Sequence, residues 1–118
     1  MVYTAGSASL AILELLVHVP LPGLLSSFVM IECRFDPSLA IVLQRAVLPK
    51  KWRTYPAPRE VQSIGTRWVE QGQSAILEVP SAVVPQEQNF LLNPSHSQFG
   101  TIEILEPRAL DWDPRLLR

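Results

Sequence analysis

Eleven prolines cut this chain of 118 residues into short pieces. Proline has no backbone N–H and its ring clashes with the preceding turn, so it ends helices and stays out of central strands. Every apolar run here is followed within a few residues by one of them, from Pro20 and Pro22 to Pro107 and Pro114. The elements must therefore be short, and the loops between them are numerous enough to carry function. That pattern predicts a compact α+β domain with at least four strands and two helices.

The elements can be placed in order. Tyr3-Thr4-Ala5-Gly6-Ser7 reads as a strand end and a turn, with Ser7 as an N-cap. Ala8 to Val17 then reads as a helix, apolar on nearly every face and so expected to be buried. Phe28 to Phe35 alternates like a strand, and Asp36-Pro37-Ser38 is a turn. Leu39 to Val47 fits either a strand or a short helix, and Leu48 to Arg53 is a loop. Glu60 to Gln71 is an amphipathic helix with Val61, Ile64, Trp68 and Val69 as its stripe and Gly72 as its stop. Ala75 to Val79, Phe90 to Leu92 and Thr101 to Leu105 are the remaining strands.

Length suits a single domain over residues 1–118. The net charge of −1 argues against a nucleic-acid or anionic-membrane surface, which would want a basic excess. The lone Cys33 cannot form an internal disulfide, so a reducing cytoplasm is the simpler setting. No basic start precedes the apolar N-terminus, and Glu14, His18 and Pro20 interrupt it. Neither a signal peptide nor a membrane span is expected.

Glu14 is the only carboxylate in the first 31 residues, set in Leu13-Glu14-Leu15-Leu16. A charge in such company is paired, neutralised or used. One reading pairs it with His18 one turn later or with an arginine; the other holds it beside a developing positive charge. Tyr3 is either a core aromatic or a stacking surface for a flat ring. Ser81, after Pro80, is a turn hydroxyl or a group that positions a sugar. It lacks a Gly-x-Ser-x-Gly setting, which weakens a hydrolase reading. Asn89, Asn93 and His96 share one loop-rich segment of turn formers. His18, His96 and Cys33 have no metal-site spacing, and no glycine-rich phosphate loop exists. Trp52, Trp68 and Trp112 are expected in the core or at an interface.

The order of several segments resembles the RES domain, the toxin half of bacterial RES–Xre toxin–antitoxin pairs. They are Val2-Tyr3-Thr4-Ala5 leading to Ser9 through Glu14, Leu48-Pro49-Lys50-Lys51-Trp52-Arg53, and Ile64-Gly65-Thr66-Arg67-Trp68. Val79-Pro80-Ser81-Ala82, Asn89-Phe90-Leu91-Leu92-Asn93-Pro94-Ser95-His96 and Asp113-Pro114-Arg115-Leu116 complete the match. The resemblance implies an ADP-ribosyltransferase-like small mixed sheet with a buried N-terminal helix and a second, amphipathic helix. It implies cleavage of the nicotinamide–ribose bond of NAD by hydrolysis, phosphorolysis or ADP-ribosyl transfer, with NAD as substrate and no other cofactor. It assigns catalysis to Glu14 and Ser81, and NAD binding to Tyr3, Glu14, Ser81 and Asn93. An Xre-type helix-turn-helix antitoxin is the implied partner, within a complex that can hold a toxin homodimer.

The arginine of the family name precedes the Val-Tyr-Thr-Ala strand, in a Gly-Arg-Trp-like segment. Arg34, Arg45, Arg53 and Arg67 all lie downstream, outside that context. The sequence is thus expected to be an N-terminally truncated or decayed member, either weakly active or a non-catalytic remnant that binds its antitoxin.

Overall fold

A computed structural model describes residues 1–18, 27–111 and 113–117. The chain runs β1 (Val2–Ala5), α1 (Ala8–His18), β2 (Val29–Met30), β3 (Cys33–Arg34), β4 (Ala40–Val42), α2 (Arg59–Gln71), β5 (Ile76–Pro80), β6 (Gln88–Leu92), β7 (Glu103–Ile104) and β8 (Arg108–Ala109). Four of these strands form one mixed sheet in the order β1-β6-β5-β4. β6 is antiparallel to both of its neighbours, and β4 joins β5 in parallel. The architecture is α+β.

Register decides what shares a face. Tyr3 lies opposite Leu91, which lies opposite Leu77, so all three side chains leave the sheet on one side. Trp68 of α2 packs there with Leu77 and Leu91, flanked by Leu43, Val69 and Val79. Ala75, Ile76, Leu92 and Ile102 make a second core with Phe35, Phe90 and Phe99. Trp68 and Val69 of the predicted α2 stripe meet the sheet here, and Val61 and Ile64 are half-buried. The Trp68 indole N–H donates to Ser74 Oγ at 2.9 Å, and Ser74 donates on to Ile76 O at 2.7 Å. Both polar groups are thereby satisfied inside the core.

Gly72 ends α2 at φ 59° with its N–H on Trp68 O at 3.1 Å. Nothing lies where a Cβ would go, so only backbone conformation selects glycine. Gly72→Ala is expected to cost about 1 kcal/mol of stability, read as a shifted denaturation midpoint with unchanged slope.

Three expectations are corrected. The predicted strand Phe28 to Phe35 is two short ladders, β2 with β8 and β3 with β7. Residues 31–32 face residues 105–107 across the break, one residue more on the second side, as in a bulge. Pro107 lies there and has no N–H to give a ladder. The expected strand Thr101 to Leu105 keeps only β7, since Phe99–Thr101 forms a 3-10 turn. Finally, α1 is not buried all round. Leu10 is buried, but Leu13 is 43% and Val17 64% exposed. The helix leans on β1 along one face, and that is its one extensive contact with another element among the described residues. Leu39 to Val47, open between strand and helix, becomes β4 followed by a 3-10 turn at Arg45–Val47. Pro20, Pro22, Gly23 and Trp112 lie outside the described residues. Among those described, no helix is long and apolar enough to cross a membrane.

Candidate functional site

The start of α1 is pinned to the sheet. Gly6 N–H donates to Gln88 O at 3.0 Å, and a Cβ on Gly6 would lie only 2.9 Å from that same oxygen. The close approach requires glycine. Ser7 Oγ then accepts from Leu10 N–H at 3.1 Å, the N-cap that the sequence predicts. Leu10 is buried one turn in, and Glu14 follows one turn later on the same face, half-buried.

Glu14 meets two donors. Ser81 Oγ donates to Oε1 at 3.2 Å, and Asn89 Nδ2 donates to Oε2 at 2.8 Å. Asn89 Oδ1 in turn accepts from the Tyr3 hydroxyl at 2.9 Å. Ser81 and Asn89 are both wholly buried. The result is a chain of hydrogen bonds, Tyr3 to Asn89 to Glu14 to Ser81, that fixes the plane of the carboxylate. Two of its roughly four acceptor positions remain for something else. Among the described residues no ion pair joins Glu14 to His18, whose ring lies 5.4 Å from that of Tyr55.

Each partner is held in its own way. Ser81 Oγ accepts from Val83 N–H and Val84 N–H, both at 3.1 Å, so the turn-former reading and the site reading hold together. This hydroxyl makes three bonds, has no exposure, and is held against Glu14. Tyr3 has an exposed ring (59%) and an anchored hydroxyl. Its phenol is pushed up to about 12, first by burial of the hydroxyl end and second by the Glu14 charge. The fold therefore favours the neutral phenol. The stability this contributes is present below the ordinary tyrosine value near 10 and lost as pH rises through 12. In a Tyr55→Phe protein, where Tyr3 is the remaining tyrosine, tyrosinate absorbance should rise only well above the ordinary tyrosine value. One transition near the ordinary value in that variant would contradict the buried hydroxyl.

Asn93 does not join this cluster. It sits beyond the far end of β6, about 13 Å of strand from Asn89. Its Nδ2 donates to Val69 O at 3.4 Å, its Oδ1 accepts from Ser95 N–H at 3.0 Å, and its N–H donates to Ala75 O at 2.8 Å. It braces the end of α2 against its own loop. The asparagine beside Glu14 is Asn89, and its signal, a polar side chain facing inward from a strand where it must find partners, emerges only once β6 is seen to begin at Gln88 rather than Phe90.

The cluster opens onto a broad cleft of about 1830 Å³. Tyr3, Glu14 and His18 line it, as do Trp52, Arg53 and Tyr55 from the loop before α2. That loop is tied to the turn after Ser81 by two arginines: Arg53 Nε donates to Ala82 O at 2.9 Å, and Arg45 Nη2 donates to Pro85 O. The Arg45 guanidinium also lies over the Trp52 ring, 5.8 Å from its centre. Arg53, out of context by its place in the sequence, is thus part of the cleft wall.

A small α+β domain with a mixed four-stranded sheet and a carboxylate oriented at the mouth of a cleft is the class defined so far. Residues 1–113 match the RES domain, and the chain belongs to the RES family. It is 42% identical to a protein named Toxin Res from Yersinia enterocolitica over 116 residues, covering 98% of this chain and 76% of that one. A Toxin Res from Photorhabdus laumondii is 40% identical over 110 residues, with 89% and 70% covered. The Prs ADP-ribosylating toxin of a Sphingobium species is 35% identical over 120 residues, with 99% and 74% covered.

Proposed function

We propose that this protein is a toxin that consumes NAD by breaking its nicotinamide–ribose bond, in an ADP-ribosyltransferase-like cleft. The observation that carries the reading is Glu14, held through both carboxylate oxygens beside the exposed ring of Tyr3. Nicotinamide stacks on Tyr3. The C1′–N bond breaks, its electron pair leaves with neutral nicotinamide, and positive charge develops on the ribose. A fixed carboxylate stabilises that charge without reorganising, or holds a ribose hydroxyl as it does so. Water, phosphate or a protein nucleophile then bonds C1′ and gives up its proton. The relative named as an ADP-ribosylating toxin supports ADP-ribose as the transferred group.

NAD as substrate implies action in the cytoplasm, with an Xre-type antitoxin as the restraining partner. Two exposed apolar side chains of α1, Leu13 and the cleft-lining Val17, favour protein binding as a second role, and as the sole role if turnover is lost. The test is the cellular NAD pool after induced expression without antitoxin. A pool that falls with the parent chain and holds with Glu14→Gln at equal protein level is the expected result. A pool that holds with both overturns the catalytic reading and leaves the binding role.

A further inference from the structure

Tyr55 is 81% exposed, the most exposed large apolar side chain among the described residues. Core packing does not explain its position. Its ring lies 5.4 Å from that of His18 at a tilt of 50°, and both line the cleft that Glu14 faces. His18 is four residues past Glu14 on α1, so this ring pair stands about 6 Å further along the helix axis than the carboxylate. Arg53 lines the same wall two residues before Tyr55. Its Nε is spent on Ala82 O, directly after Ser81, which fixes the guanidinium while leaving its terminal N–H groups for a ligand.

The charges in the cleft are unequal. Arg108 also lines it, but its guanidinium is paired with Glu32 at 3.4 Å. Among the described residues, the carboxylates in ion pairs are Glu32 and Asp113, and neither pairs with Arg53. An anchored guanidinium without a carboxylate partner, followed by an exposed aromatic pair, matches an anion followed by a flat base. We propose that Arg53 and the His18–Tyr55 ring pair form a distal subsite for a nucleoside 5′-phosphate, the adenylate half of the dinucleotide. Phosphate oxygens lie on the Arg53 fork, and the purine stacks on Tyr55 with His18 behind it. The subsite rests on the reading that Glu14 serves a dinucleotide, and it gives that substrate its orientation.

Calorimetric titration of the Glu14→Gln protein with NAD, AMP and nicotinamide separates the two ideas. Tyr55→Ala and Arg53→Ala, each in that background, are expected to weaken NAD and AMP about ten-fold, and nicotinamide by much less. In active protein the same changes raise KM for NAD more than they lower kcat. AMP that fails to bind, or binds equally well to all three proteins, overturns the subsite even if NAD is consumed. AMP binding that depends on Arg53 and Tyr55 in a protein that never consumes NAD supports the subsite and overturns the catalytic reading instead.

Discussion

Glu14→Gln is expected to lower kcat for NAD loss by about two to three decades, equivalent to roughly 3–4 kcal/mol of transition-state stabilisation. The substitution preserves shape, so NAD binding changes little and the effect falls on turnover. It removes the charge that would face the ribosyl cation. It also disturbs the orienting bonds, because Ser81 Oγ and Asn89 Nδ2 both donate to Glu14 and an amide can accept from only one of them. Losing one such bond costs about 1–2 kcal/mol of stability, so the variant should fold with a modestly lower melting temperature. Purified protein assayed for nicotinamide release gives the result directly. A folded Glu14→Gln protein that keeps a tenth or more of the parent rate would remove Glu14 from the chemistry.

Asn89→Asp should be the most damaging single-atom-scale change to stability. Asn89 is wholly buried, and its Nδ2 donates to Glu14 at 2.8 Å. Replacing that nitrogen with oxygen sets two carboxyl groups against each other, and the pair must hold a proton. Its folded pKa is then raised above the unfolded value. Stability is retained below the unfolded carboxylate range and lost as pH rises through the folded value. The expected loss at neutral pH is about 3 kcal/mol. Melting temperatures recorded across pH should therefore be higher in mild acid than at neutrality for the variant. A variant with the parent's pH profile would mean that Asn89 does not face the carboxylate.

Much of this architecture is legible because the signals are local. The stripe Val61, Ile64, Trp68 and Val69 with Gly72 behind it specifies α2, and Ser7 specifies the start of α1. Glu14 stands out because a lone charge in an apolar helix needs a partner. The sequence does not carry the pairing register, and register is what separates Asn89 from Asn93. Both are asparagines at the ends of the same short strand, and only the alignment of Ala5 and Val79 with Asn89 brings one of them to Glu14. The exposed side of α1 was hidden for a similar reason: an all-apolar helix reads as buried, whereas layer count decides how many of its faces are covered. Arg53 escaped because its role depends on a loop packing against the Ser81 turn, a contact across 29 residues.

The bonds that orient Glu14 span 67 residues to Ser81 and 75 to Asn89. During synthesis the carboxylate is made early and its two donors late. A chain interrupted anywhere before residue 81 carries Glu14 with neither of them, and one interrupted before residue 89 carries it with only one. A nascent or broken polypeptide of this kind holds the carboxylate without its full set of orienting donors, which is complete only when the last third of the sequence has joined the first.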